Sequence, residues 1–155
     1  MAKALPAKPF VGCIQVYTGN GKGKSTAAIG LALRAAGHSF RTYVGQFCKG
    51  RKTGEIAAAG KLAPLITIEQ FGDVRFLYAG KPPDDSDIAR ARKGLFRCSA
   101  AMLSGDFRIV VLDEINLALY FKLLSKAEVQ AFLDARPADV ELVLQSGSLA
   151  DLLAR

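Results

Sequence analysis

Nine consecutive residues, Thr18-Gly19-Asn20-Gly21-Lys22-Gly23-Lys24-Ser25-Thr26, have the types and spacing needed to hold a polyphosphate. Glycines let backbone N–H groups close around phosphate oxygens with no Cβ in the way. A helix starting after them turns its positive end toward the same anion. The ammonium of Lys24 suits the outer phosphates, and the Ser25 hydroxyl suits Mg²⁺. The usual phosphate-binding loop opens with glycine five positions before Gly23. Here Thr18 stands in that place, and Lys22 adds a second lysine inside the loop.

A second cluster lies at the end of Phe107-Arg108-Ile109-Val110-Val111-Leu112-Asp113-Glu114. An apolar strand ending in Asp-Glu is a common partner of a phosphate loop. The aspartate holds Mg²⁺ directly or through water, and the glutamate orients water or the metal's surroundings. Lys24, Ser25, Asp113 and Glu114 are therefore the catalytic candidates, and Ser25, Asp113 and Glu114 the metal candidates. Lys49, in the polar turn from Lys49 to Glu55, is a candidate phosphate or substrate contact; a solvated loop lysine accounts for it equally well.

These groups need strands and helices to place them. Val11–Tyr17 reads as a buried strand before the loop, and Ala27–Ala36 as the helix after it, closed by a left-handed Gly37. Phe40–Phe47 and Leu65–Phe71 read as further strands. The segment from Gly72 to Pro83, with Phe76 and Tyr78, reads as a loop that forms either a lid or a satellite of the core. Asp84–Asp87 starts a helix running to about Ser104, with Ile88, Ala91, Leu95, Phe96, Met102 and Leu103 on its inner face. Asp85 and Asp87 suit helix capping better than catalysis. Ile115–Leu124 reads as helical, and Ser125-Lys126-Ala127-Glu128 is a capping box opening a helix that stops before Pro137. Val140–Gln145 is a fifth strand, and Ser148–Ala154 reads as a last helix.

Strands alternating with helical segments imply an α/β fold, a mostly parallel three-layer sheet of the phosphate-loop NTPase (RecA-like) kind, covered on both faces. The strands ending at Tyr17 and Leu112 are expected to be neighbours. The 155 residues suit one domain, with residues 1–9 as a flexible lead-in.

Composition narrows the function. Half the residues are hydrophobic, which argues against disorder. No apolar run approaches the roughly 20 residues of a membrane span. The start lacks the hydrophobic stretch of a secretory signal, so the cytoplasm is the expected location. A net charge of +7, from 21 basic and 14 acidic residues, favours an anionic partner. The basic residues are scattered with little aromatic interleaving, so nucleic acid is not the expected partner. Cys13, Cys48 and Cys98 share no ligand spacing and read as buried free thiols, two in strands and one on a helix. His38, the one histidine, suits an exposed helix end.

The loop with Thr18 in the first glycine's place resembles that of the ATP:corrinoid adenosyltransferases, or cob(I)alamin adenosyltransferases, of the phosphate-loop type. The likeness continues through Gln46-Phe47-Cys48-Lys49-Gly50, where that family typically has Gln-Phe-Ile-Lys-Gly, through Val110–Asn116, and through Ala135-Arg136-Pro137. It implies attack of the corrinoid's reduced cobalt on the 5′ carbon of ATP, with tripolyphosphate leaving. It also implies ATP bound reversed along the loop and Mg²⁺ as cofactor. By this resemblance the ATP contacts are Thr18, Gly19, Asn20, Gly21, Lys22, Gly23, Lys24, Ser25, Thr26 and Lys49, with Asp113 and Glu114 completing the metal's ligands and Lys49 approaching nucleotide or corrinoid. Phe71 and Phe76 lie in the region that crowds the corrinoid's lower face, although the Gly-Phe-Thr-Trp version of some relatives is absent. A flavoprotein reductant and a homodimer are the implied partners.

The chain departs from that pattern after the fifth strand. Relatives continue with Thr-Gly-Arg and a further strand and tail, whereas here Gln145-Ser146-Gly147-Ser148 follows and the sequence ends at Arg155. Loss of a buried arginine contact to triphosphate would cost about 1.5–3 kcal/mol of binding. The expectation is a shortened member or a fragment. A non-catalytic nucleotide or corrinoid binder and an ordinary kinase or ATPase are the competing readings.

Overall fold

The computed structural model describes residues 10–73 and 83–145. Five strands form one sheet: β1 (Ile14–Tyr17), β2 (Thr42–Phe47), β3 (Ile66–Phe71), β4 (Ile109–Asp113) and β5 (Glu141–Gln145). Their order across the sheet is β1-β5-β4-β2-β3, and every neighbouring pair is parallel. The α/β expectation holds. The expected contact between β1 and β4 does not, because β5 lies between them. Val140, Leu142, Val143 and Leu144 are buried, as suits a strand paired on both sides.

Helices cover both faces. On one, α1 (Lys24–Ala36) buries Ala28 and Ala35 against Val44, Val111 and Val143. The small side chains bring the helix close to the sheet. Ala32 packs instead with Ala59 of α2 (Gly54–Lys61) and with Ile66. This helix is not among the predicted elements; its first two residues fall in the turn expected over Lys49–Glu55. On the other face, α3 (Asp85–Leu103), α4 (Ile115–Tyr120) and α5 (Lys126–Asp134) close over Tyr43, Phe47, Val110, Leu112, Leu142 and Leu144.

Local details explain where the expectations hold or fail. Both predicted helix starts carry reciprocal capping boxes, Asp84 with Asp87 on α3 and Ser125 with Glu128 on α5. Within α3, Ala91, Cys98, Ala101 and Met102 are buried, while Phe96 and Leu103 face outward, 71% and 58% exposed. The inner face is narrower than predicted because α3 crosses over Gly94. A Cβ on Gly94 would stand 2.7 Å from the Phe71 ring, so the ring packs against bare helix backbone. Gly37 is right-handed, and Ser39 (φ 61°) makes the left-handed turn after α1. His38 is exposed, as expected.

β1 is half-exposed, with Ile14 45% and Val16 49% accessible, because it forms the sheet edge among the described residues. Cys13 precedes it and is exposed, Cys48 lies just beyond β2 and is half-buried, and only Cys98 is fully buried. The last predicted helix, Ser148–Ala154, the lead-in 1–9, and Phe76 and Tyr78 lie outside the described residues. Among the described residues, no helix is long and apolar enough to cross a membrane.

Candidate functional site

The strand register builds the floor of the site. Tyr17, Gln145, Asp113, Gln46 and Gln70 are partners across β1, β5, β4, β2 and β3, forming one row over the whole sheet. Two residues earlier in each of β5, β4 and β2 stand Val143, Val111 and Val44, buried under α1. Strand side chains repeat with a period of two, so the polar row continues that face one step beyond the apolar layer. It lies at the carboxyl ends of the strands, where open α/β sheets place their ligands.

The loop from Thr18 to Gly23 follows β1 and feeds α1 at the same end of the sheet. Gly23 caps the helix with φ 110°, a conformation that favours glycine. The helix begins at Lys24, three residues before the predicted start, so Lys24, Ser25 and Thr26 form its first turn. That turn contains no acidic residue, and no side chain caps it. The first four N–H groups of a helix have no partner within it, so α1 presents backbone donors and a positive end to the loop. The Lys24 ammonium is folded into the loop, donating to the Gly19 carbonyl at 2.6 Å and the Gly21 carbonyl at 2.7 Å. Asn20, Lys22 and Thr26 are exposed around it.

Ser25 and Asp113, 88 residues apart in sequence, meet directly. The Ser25 hydroxyl donates to Asp113 Oδ1 at 3.3 Å. It accepts from Lys49 Nζ and from Gln145 Nε2, each at 3.1 Å. Asp113 Oδ2 accepts from Lys49 Nζ at 2.8 Å and from Gln46 Nε2 at 2.9 Å. Behind Gln46, Gln70 Nε2 donates to Gln46 Oε1 at 3.0 Å and to the Arg51 carbonyl at 2.9 Å. The Asp113 side chain is 3% exposed, so its charge depends on these donors.

Glu114 occupies a left-handed position (φ 63°) where β4 turns into α4, and its N–H donates to the Gln145 carbonyl at 2.8 Å. Its charge is felt by the Cys48 thiol, which burial first and then Glu114 and Asp87 push up to about 12. Cys48 itself packs against the core beneath α3. Phe71 is buried against Phe47, with ring centroids 6.1 Å apart.

The donor chemistry fits Mg²⁺. A hydroxyl and a carboxylate are hard oxygen ligands, and Mg²⁺ commonly takes only one or two protein carboxylates beside phosphate and water. The Gln145 Oε1 atom is buried with no hydrogen-bond partner among the described residues, leaving one further oxygen beside Ser25. Ser25 and Asp113 would hold the ion, and Lys49 now supplies positive charge between them.

The expected residues Lys24, Ser25, Lys49 and Asp113 thus gather at one end of the sheet. Sequence reading missed Gln46, Gln70 and Gln145 as site residues. The available signal was a polar side chain near the carboxyl end of a strand: Gln46 in Thr42–Phe47, Gln70 in Ile66–Phe71 and Gln145 in Glu141–Gln145 are placed much as Asp113 is in Ile109–Asp113.

The chain is similar to several known proteins. The corrinoid adenosyltransferase of Pseudomonas aeruginosa is 34% identical over 144 residues, covering 92% of this chain and 70% of the relative. That of Escherichia coli K12 is 32% identical over 143 residues, covering 92% and 71%. An uncharacterized protein of Nostoc is 36% identical over 147 residues, covering 86% of this chain and 39% of its own length. The model of the family described as ATP:corrinoid adenosyltransferase BtuR/CobO/CobP matches residues 11–151, and the chain belongs to that family.

Proposed function

We propose that this chain transfers the 5′-deoxyadenosyl group of ATP to the reduced cobalt of a corrinoid. The electron pair of cobalt forms the new bond to C5′, the C5′–O bond breaks, and tripolyphosphate leaves with that bonding pair. The observation that carries the reading is the meeting of Ser25 and Asp113 beside a glycine-rich loop whose helix has neither a side-chain N-cap nor an acid in its first turn. In this reaction the phosphates are the leaving group. The protein must hold them still, neutralise their charge and leave the ribose carbon accessible.

Thr18 to Thr26 form the triphosphate cradle in this reading. Lys24 exchanges the Gly19 and Gly21 carbonyls for phosphate oxygens, and the first-turn N–H groups of α1 take further phosphate charge. Ser25 and Asp113 hold Mg²⁺, which when bound neutralises charge on the departing tripolyphosphate. Gln46 and Gln145 fix the orientations of Asp113 and Ser25. Glu114, which follows Asp113 at the carboxyl end of β4, is the outer acid of the metal site in this reading. No general base is required, because reduced cobalt is itself the nucleophile.

Phe71 and Phe76 are assigned to the corrinoid side. With its ring buried, Phe71 acts by anchoring the end of β3. A flavoprotein reductant and a cytoplasmic location belong to the same reading. So does a homodimer, which would cover apolar surface such as Ile14 and Val16 of β1.

The test supplies ATP, Mg²⁺ and chemically reduced corrinoid to the full chain. The expected products are a light-sensitive adenosylcorrinoid and tripolyphosphate. ATP binding without either product would reduce the chain to a binder. Orthophosphate or ADP in their place would identify a kinase or ATPase.

A further inference from the structure

Lys49 stands in a more telling place than a general phosphate contact requires. Its Nζ is 2.8 Å from Asp113 Oδ2 and 3.1 Å from Ser25 Oγ. Those are the carboxylate and hydroxyl groups assigned above to the divalent cation. The ammonium therefore fills the position that a metal bridging Ser25 and Asp113 would need. A buried carboxylate without a counter-charge is strongly unfavourable, and Lys49 supplies that charge.

The lysine is also built to leave. Its backbone is held, since the Lys49 carbonyl accepts from the Gly72 N–H at 3.0 Å. Its side chain is 27% exposed against 3% for Asp113, so the pair opens to solvent on the lysine side alone. An ammonium on a four-carbon stem is a movable point charge, unlike the planar fork of arginine. A metal arriving alone would meet a like charge at contact distance and find both ligands occupied. A triphosphate arriving with it offers the ammonium a new partner.

We propose that Lys49 is an internal counter-ion that closes the cation position in the nucleotide-free protein and withdraws to the phosphates when nucleotide binds. The inference rests on the reading of Ser25 and Asp113 as a metal site. It makes metal binding and nucleotide binding depend on one another, since each favours the state in which Lys49 has left Asp113.

The experiment is a titration of the full chain with Mn²⁺ alone, followed by the loss of the free-ion paramagnetic resonance signal. Nucleotide-free wild type is expected to bind Mn²⁺ weakly. Lys49→Met should bind at least tenfold tighter, and Lys49→Arg, which keeps the charge, should stay near wild type. Adding Asp113→Asn to Lys49→Met should remove the gain, locating it at this carboxylate. If Lys49→Met does not fold, Lys49→Gln, which keeps a hydrogen bond to Asp113, makes the same comparison. A neutral variant that binds Mn²⁺ no tighter than wild type overturns the proposal. Adenosyl transfer is assayed separately, so its absence would defeat the functional reading while the Mn²⁺ comparison still decides the role of Lys49. If no protein bound Mn²⁺ even with ATP present, the metal reading and this inference would fall together.

Discussion

Gln46 and Asp113 are register partners on β2 and β4, and the Gln46 amide donates to Asp113 Oδ2 at 2.9 Å with both side chains buried. This ties the orientation of the carboxylate to the sheet itself, away from the mobile groups that approach it from solvent. A hydrogen bond to a charged group contributes about 1.5–3 kcal/mol, and a buried acceptor that loses it bears the desolvation penalty. Gln46→Leu, similar in volume, should lower stability by about that amount in urea denaturation. It should also weaken metal–nucleotide binding measured by calorimetry. An unchanged urea midpoint would mean that Lys49 and Ser25 satisfy Asp113 without it.

Lys24 makes a separable contribution. Its described partners are the Gly19 and Gly21 carbonyls within an exposed loop. Lys24→Ala should therefore leave the unfolding free energy from urea denaturation within about 0.5 kcal/mol of wild type. ATP affinity should fall by about one to two orders of magnitude, the equivalent of one charge-assisted contact. Stability lost without any change in ATP affinity would mark this loop as a structural turn.

How far the sequence reveals such a site depends on which contacts are local. The loop, the capping boxes at Asp84 and Ser125, and the apolar strand before Asp113 are legible because a few adjacent residues determine them. The polar row is not, since it depends on register between strands distant in the chain. Gln46 and Asp113 become neighbours only through the pairing of β2 with β4, and Gln145 joins them only because β5 is inserted between β1 and β4. The same insertion defeated the expectation that the two landmark strands touch. Phe96 misled for a related reason: helical periodicity identifies a face, but only the packing of α3 at Gly94 shows how wide that face is.

The ionisable groups predict a stability plateau with two falling limbs. Burial raises the Cys48 thiol to about 12, and burial likewise raises Cys98 and Tyr43. Each is an acid whose charged form the fold disfavours. Their contribution is complete below the reference values of 9.0 for the thiols and 10.0 for Tyr43, and is lost as pH climbs toward the folded values. At the acid end, burial raises Glu55, but hydrogen bonds led by its own backbone N–H outweigh that and hold it below the usual carboxylate range. Glu128 is lowered chiefly by the Ser125 backbone N–H. Their stabilisation is present above 4.5 and fades as pH falls. Urea midpoints across pH should show both limbs. Cys48→Ala should flatten the alkaline one by up to about 1.4 kcal/mol per pH unit.

Thiol accessibility gives an independent check of where β1 lies. Cys13 is exposed, Cys48 is half-buried with its thiol kept neutral, and Cys98 is fully buried. Since the thiolate is the reactive form, an aromatic disulfide reagent at neutral pH should modify one thiol quickly. The fast phase should vanish in Cys13→Ala, and the other two should react only on denaturation. Three fast thiols would contradict the packing of α3 over the sheet.

Gly72 tests whether backbone placement of Lys49 matters as much as its charge. The Gly72 N–H donates to the Lys49 carbonyl at 3.0 Å. A Cβ there would lie 2.3 Å from the Lys49 nitrogen and 2.4 Å from the Cys48 carbonyl carbon. Both are backbone atoms, so relief requires the chain at residues 48–49 to shift. Cys48, already left-handed at φ 56°, has little freedom to absorb that shift. Gly72→Ala should cost about 1–3 kcal/mol of stability, as overpacking does. Because the shift moves the root of the Lys49 side chain, ATP affinity should fall with every other site residue intact. In a charge-neutral Lys49→Met background the same substitution should cost stability but no further ATP affinity. An additional loss of affinity in that background would mean that Gly72 acts on the nucleotide through something other than Lys49.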